Sequence, residues 1–307
     1  MSVLGIDTSN YTTSIAYFDG CDGMKCSKLL PVKRGELGLR QSDAVFAHIK
    51  GLPELSGRLF SNVRPDTIQA VGVSTRPRAV EGSYMPCFMV GYSHAKLISD
   101  MLGVPLIEVS HQQGHVAASL WSAGHLELMD QTHLAWHLSG GTTELLLVEP
   151  EGRNVRCTRI GGTSDISAGQ LIDRTGQLLQ LPFPSGKHVD ALSREAAIKE
   201  TFKVKCPGLE FSLSGVQNKV QQFHEKHALP AETAAYALRC VAAAVCKATE
   251  NALKEYPGLR VVFSGGVASN TMLRELTAPF DPVFSQPQYS TDNAMGVAVL
   301  AHRALEG

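Results

Sequence analysis

With 307 residues, 44% of them hydrophobic and 19% charged, the chain is ordinary globular material, long enough for two lobes with sizeable cores. A formal net charge of -1 and a pI of about 6.8 exclude a global attraction to nucleic acid or to an acidic membrane surface, so a nucleic-acid partner would need a local patch. The cysteines at 21, 26, 87, 157, 206, 240 and 246 form no CxxC pair, which argues against a disulfide framework or zinc ribbon and for reduced thiols in a cytoplasm.

The opening, "MSVLGIDTSNYTTSIAYF", has no basic segment ahead of an apolar core. No apolar run approaches the roughly 18 residues of a membrane helix. The expectation is a cytoplasmic protein with no membrane partner. The same stretch reads as two short β-branched and aromatic strands joined by turn formers around Ser9 and Asn10. "AVGVS", at 70 to 74, reads as a buried strand. Helical spacing follows between Gly82 and Leu102, and "GVPLIEVS" returns to a strand. Alternation of this kind predicts an α/β sheet with helices on its faces.

The second half repeats the opening. "HLAWHLSGGTTELLLVEPEG" is strand, glycine and hydroxyl turn, strand, and "LRVVFSGGVASNTMLRELT" is strand, glycine turn, helix. The repetition suggests a duplicated architecture with a ligand cleft between the halves. The lobes divide at 1–128 and 129–307, the C-terminal helix, 293–307, being a candidate to pack on the first lobe. The proline- and glycine-bearing region 182–215 reads as irregular surface chain.

Two segments have the spacing His-x-x-x-His: His111 with His115, and His133 with His137. On a helix such a pair lies about 6 Å apart on one face; on a strand it spans about 13 Å. "VAASLW" after the first pair is helix material, whereas "HLAWHL" is a strand, so only His111 and His115 are placed to share an ion. A plain helical turn explains that pair as well. A metal site needs three ligands or more, and Asp292, in "YSTDNAMGV", is the best third candidate; a helix N-cap explains it equally. Gln112 stands where a zinc protease carries its glutamate, and Gln is no general base, so simple zinc proteolysis loses its warrant.

Ser139, Gly140, Gly141, Thr142 and Thr143 form a tight turn whose amides and hydroxyls suit a phosphate, although a lone Gly-Gly is more often an ordinary hairpin turn. "VVFSGGVASN" repeats the design before a helix. In "GIDTSNYTTSIA", Asp7 could orient a metal or water near phosphates. Asp165 and Asp173 are not in phase on one helix; Asp173 falls in "AGQLIDRTGQLL", where it is either a ribose ligand or part of a solvated face.

The order "GIDTS", "HQQGH", "LSGGTTEL", "SAGQLIDR", "FSLSGVQNKV", "FSGGVASN" and "STDNA" resembles the TsaD family, tRNA adenosine threonylcarbamoyltransferases once known as O-sialoglycoprotein endopeptidases. The likeness runs from residue 3 to about residue 303. It implies an α/β, duplicated actin-like fold of the sugar kinase and heat-shock ATPase type. It implies one divalent ion, Fe or Zn, on His111, His115 and Asp292. It implies a substrate or nucleotide pocket, for threonylcarbamoyl-AMP or ATP/ADP, at Leu138, Ser139, Gly140, Gly141, Thr142, Asp173, Gly186 and Asn270, with Asp7 and Ser9 as further cleft residues. The implied reaction moves a threonylcarbamoyl group to N6 of the adenosine 3′ of the anticodon in tRNAs reading codons that begin with A. The implied partners are tRNA, a TsaB-like paralogue and a TsaE-like ATPase. No residue is assigned as general base.

The chain departs from the family pattern in "DTSNYTT", in "RPRAVEGS" from Arg76, in "DISAGQ", where Ile166 and Gln170 replace carboxylates, and at Thr142, where the family has histidine. The alternative these departures allow is a divergent paralogue, either a metal- and nucleotide-dependent carbamoyl or acyl transferase with another acceptor or a noncatalytic nucleotide-binding subunit. Lys187, Lys199, Lys203 and Lys205 are the expected basic patch, with a solvated surface as the plainer explanation.

Overall fold

A computed structural model describes residues 1–9, 11–30, 39–198, 200–289 and 293–306; Asp292 and Lys199 therefore lie outside the described residues. The chain divides into two compact units, one of Met1–Gln131, Glu149–Cys157 and Thr291–Gly307, the other of Thr132–Val148 and Thr158–Ser290. The 128/129 division read from the sequence, with helix 293–307 as a candidate to pack on the first lobe, does not include the return of Glu149–Cys157 to the first unit.

In the first unit, β1 (Ser2–Ser9) and β2 (Thr12–Phe18) form an antiparallel hairpin, with Asp7 opposite Ser14, and β3 (Gly23–Leu29) extends it. After helix α1 (Gln41–Phe60), β4 (Ile68–Arg76) joins β1 in parallel. Helix α2 (Phe88–Leu102), which starts six residues later than the helical spacing from Gly82 suggests, leads to β5 (Leu106–Ser110), parallel to β4. Helix α3 (His111–Ala123) begins directly at the end of β5. The sheet order is β3-β2-β1-β4-β5. One side carries the apolar core of Leu4, Ile6, Val71, Val73, Leu52, Leu55 and Ala95.

The second unit reuses the plan. Strands β6 (His133–Leu138) and β7 (Thr143–Glu151) pair antiparallel around the Ser139–Thr142 turn, and β8 (Asn154–Thr163) follows. Helices α4 (Ala168–Leu178) and α5 (Gly186–Ser193) come next, then β9 (Glu210–Phe211), α6 (Ser214–His227) and the long α7 (Pro230–Glu255). Strand β10 (Val261–Ser264) lies parallel to β6 and leads through a short turn to α8 (Thr271–Thr277) and β11 (Val283–Phe284). The sheet order is β11-β10-β6-β7-β8-β9. Leu134, Trp136 and Leu138 point into a core shared with Val241, Val245 and Phe263, and the buried Trp136 indole donates to Thr249 Oγ1 at 2.9 Å. Region 182–215 is less irregular than its prolines suggest: it holds α5 and β9, because Val189 buries against Ile172, Ala234 and Leu238.

Helix α9 (Ala294–Leu305) closes the chain and returns to the first unit, lying over β1, β2 and β4 and beside α3. Its sequence is apolar enough to be buried almost throughout. Segment Glu149–Cys157 is tied to the same unit by side-chain bonds to backbone carbonyls: Gln113 Nε2 donates to Val155 O at 2.7 Å, and Arg303 Nε to Arg153 O at 3.2 Å.

The crossing of α3 and α9 depends on glycine. A Cβ at Gly296 would lie 1.9 Å from the carbonyl oxygen of Gly114 and 2.8 Å from the amide of Ala118, both backbone atoms that cannot step aside. Gly296→Ala is expected to destabilise the protein by about 1–3 kcal/mol, the usual cost of overpacking a core. Urea unfolding monitored by circular dichroism checks this; a loss below about 0.5 kcal/mol, the range of neutral surface changes, would contradict the crossing.

Candidate functional site

The first cluster is built where β1, β5, α3 and α9 converge. Ser110 ends β5 and caps α3: its hydroxyl accepts from the Gln113 amide, and the Gln113 side chain accepts from the Ser110 amide. The cap fixes the first turn of α3, which carries His111 and, one turn on, His115. Their ring centroids are 4.5 Å apart at 70°, with Phe88 edge-on to His111 at 5.9 Å. Both imidazoles therefore share one helix face. His133 and His137 lie in β6, extended over about 13 Å, and do not form an equivalent pair.

Asp7 Oδ2 lies 2.7 Å from His111 Nδ1, and Asp7 Oδ1 accepts the Ser9 amide at 2.8 Å. The carboxylate is 1% exposed. Burial pushes its pKa up, but the charge and hydrogen bond of His111, with the Ser9 amide, outweigh burial and hold it below the usual carboxylate range. An ionised carboxylate only accepts, so Nδ1 carries a ring hydrogen and Nε2 is the nitrogen left for another partner. Ser9, expected as a cleft residue, serves here through its backbone.

Two further buried groups flank this cluster. Thr13 Oγ1 lies 2.8 Å from Nδ1 of the fully buried His48, whose pKa is lowered by burial against the opposing pull of Asp7. Thr8 Oγ1 donates to Cys87 O at 2.9 Å and accepts the Gly91 amide. Burial, aided by the Asp7 charge, pushes the Cys87 thiol up to about 12, so it is no nucleophile near neutral pH.

The second cluster gathers at the end of β6 and β10. Ser139 N donates to Thr142 O at 2.8 Å, and Thr142 N to Ser139 Oγ at 3.1 Å, which closes the turn. Ser167, the cap of α4, donates its hydroxyl to Gly140 O at 2.6 Å, and Ala168 N donates to Thr143 Oγ1 at 2.8 Å. Gly265, at φ +90, lets the β10 turn pack on Leu138, whose carbonyl oxygen would lie 2.2 Å from a Cβ there. Helix α4 carries Asp173, whose Oδ1 accepts the Ser185 amide at 2.8 Å beside Gly186. Burial raises the Asp173 pKa, with the Ser185 amide pulling the other way. Asp190, one turn into α5, accepts from Asn270 Nδ2 at 2.7 Å and from the amide and hydroxyl of Thr271. Asn270 also caps α8 by accepting the Leu273 amide at 2.9 Å. Leu138 to Thr142, Asp173, Gly186 and Asn270 thus stand on connected elements around one strand end.

The sequence profile of the TsaD family, described as tRNA N6-adenosine threonylcarbamoyltransferase, matches residues 40–299. The protein of that name from Carboxydothermus hydrogenoformans is 32% identical over 322 residues, covering 99% of this chain and 93% of the relative. That from Thermus thermophilus is 33% identical over 317 residues, covering 99% and 93%. The chain belongs to the TsaD family.

Its activity class is therefore that of a transferase, and the fold agrees. Full-length HypF in a phosphate- and nucleotide-bound form is 15% identical with a TM-score of 0.64, covering 100% of this chain and 47% of HypF. The ROK hexokinase of Thermus thermophilus, also 15% identical, gives 0.54 and covers 100% and 99%. The activator of 2-hydroxyisocaproyl-CoA dehydratase from Clostridium difficile, bound to ADPNP and 15% identical, gives 0.56 and covers 99% and 94%. These are actin-like ATPase and sugar kinase folds, and this chain has that architecture.

The donor set fits the ion that the TsaD family implies as far as it is described. Two imidazoles on one face, one with its Nδ1 hydrogen taken by a carboxylate, form the usual carboxylate–histidine support of a metal ligand. Among the described residues no group of three or more His, Cys, Asp or Glu side chains converges, and Asp292 is outside them. Sequence reasoning missed Asn293, whose amide reaches His111, and Asp190, which holds Asn270. A polar residue directly after Asp292 was a signal for the first; "HVDALS" offers none for the second.

Several departures from the TsaD pattern have structural work. Gln170 completes the capping box with Ser167, and Ile166 packs on the core of the second unit. Asp165 accepts the Ser212 hydroxyl at 2.5 Å and the Leu213 amide at 2.8 Å, capping α6 from a distance. Burial raises its pKa, but these bonds, with that of Ser214, hold it at about 2. A carboxylate lowered on folding stabilises above its unfolded pKa of about 3.9 and loses that contribution as pH falls toward 2. Hydrogen exchange at the first turn of α6 is expected to lose protection over that window in the native protein. Asp165→Asn should already show reduced protection near neutrality with no acid step; equal protection in both would contradict the cap.

Proposed function

We propose that the chain transfers the threonylcarbamoyl group of threonylcarbamoyl-AMP to N6 of the adenosine 3′ of the anticodon in tRNAs that read codons beginning with A. The observation that best supports this reading is the Asp7–His111 pair at 2.7 Å, which leaves Nε2 of His111 for an ion beside His115. One divalent ion, Fe or Zn, would be held by His111, His115 and Asp292. When bound it would supply a Lewis acid for charge developing on the carbamoyl oxygen.

The adenylate, or ATP/ADP in its place, would rest on the second unit. The Gly140 and Gly141 amides would face its phosphate, with Leu138, Ser139 and Thr142 shaping the turn. Asp173 Oδ2, which carries no bond among the described residues, would take ribose hydroxyls. Gly186 leaves the start of α5 open to the nucleotide, and Asn270, steadied by Asp190, would face it. AMP leaves as a stabilised phosphate, so its departure needs no protein acid. The exocyclic amine is a weak nucleophile, and holding it against the carbonyl carbon would supply much of the acceleration.

The reading includes tRNA as partner. Lys187, Lys203 and Lys205 remain the basic side chains for it, with Lys219 over the Phe202 ring at 5.9 Å. A TsaB-like paralogue and a TsaE-like ATPase are proposed as helpers; exposed Phe46 and Ile49 on α1 and Leu97 and Met101 on α2 are apolar surface that a protein partner would cover. No described helix is long and apolar enough to cross a membrane, and the cysteines are unpaired, which fits a reducing cytoplasm.

The test supplies purified protein, the helper proteins and threonylcarbamoyl-AMP to an anticodon-stem transcript. Modified adenosine is expected from the native protein, with a loss of at least about 100-fold in His111→Ala, the upper range for disturbing a metal site. Product that persists in the variant would overturn the role of His111. No product from folded protein that binds metal and adenylate would point to a different acceptor.

A further inference from the structure

Asn293 opens the final helix, directly after Asp292 in the sequence, and is 2% exposed. Its Nδ2 donates to the main-chain carbonyl of His111 at 2.9 Å and also lies against His111 Nδ1. Its Oδ1 is buried with no hydrogen-bond partner among the described residues.

We propose that Asn293 is a positioning residue for His111, locking the ring and main chain of that ligand from α9 while Asp7 locks the ring from β1. The inference rests on the reading of His111 as an ion ligand. Ring nitrogen Nδ1 has one in-plane position, which the Asp7 carboxylate takes. One of the two Asn293 amide hydrogens therefore goes to the carbonyl, and Nδ2 packs against Nδ1, where it blocks ring rotation. The backbone places it there: Val297 N donates to Asn293 O at 2.8 Å, and Gly296, where a Cβ would lie 1.9 Å from the Gly114 carbonyl oxygen, lets the start of α9 approach α3.

Two variants test this. Asn293→Leu keeps the volume and removes both polar atoms; Asn293→Ala removes atoms and adds none, so it carries the test if the first does not fold. Co2+ titration, followed by its visible absorption, is expected to show about 10–100-fold weaker binding than native protein, the usual effect of removing a partner of a metal-bound histidine. In metal-free protein, nitrogen NMR is expected to show His111 in the single Nδ1–H form natively and averaged between forms in the variants. Co2+ affinity within about threefold of native, or unchanged His111 signals in a folded variant, overturns the proposal. Native protein that binds no Co2+, combined with the change in His111 signals, contradicts the ion reading while upholding the lock.

Discussion

A carboxylate that is 1% exposed must have a partner, because an unpaired buried charge costs several kcal/mol, and for Asp7 that partner is His111. The rest of the first unit is arranged around the pair. The β1–β2 hairpin puts Asp7 at the end of β1 with the Ser9 amide on its second oxygen. The β5-to-α3 junction needs a strong cap so that His111 can be the first helical residue, and Ser110 with Gln113 supplies it. Helix α9 then has to come close enough to α3 to reach His111, and Gly296 permits that crossing.

The second unit solves a different problem with the same parts. The donors of its hairpin turn are closed on one another through Ser139 and Thr142 and braced by the cap of α4. What α4, α5 and α8 contribute is position. Asp173 is fixed to Ser185, and Asn270 to Asp190, so the residues that would meet a nucleotide are each held by a bond to another element. Fixing side chains before a ligand arrives spares binding energy that would otherwise go to ordering them.

Much of this was legible in the sequence. Both hairpins, the helix carrying His111 and His115, and the strand that separates His133 from His137 follow from periodicity and turn chemistry. The return of segment Glu149–Cys157 to the first unit does not, because packing between distant segments leaves no local pattern. Helix α5 was hidden among prolines, since eight residues anchored by Val189 and Leu192 are too few to show a periodicity. Asp7 stands out in the sequence as a residue near a metal, yet its hold on Nδ1 of His111 is a contact 104 residues apart that spacing cannot express. Gln170 and Ile166 read as lost carboxylates and are, in the fold, a cap and a core side chain.

The central claim is that the Asp7-supported imidazole and its neighbour on α3 bind one ion together. X-ray absorption of the protein loaded with one equivalent of zinc tests it most directly, because imidazole ligands leave a distinct scattering pattern around the metal. The account expects two imidazoles with zinc–nitrogen distances of about 2.0–2.1 Å and oxygen ligands completing the set, with one imidazole lost in His115→Ala. Zinc surrounded by oxygen alone, or a spectrum unchanged in that variant, would contradict it.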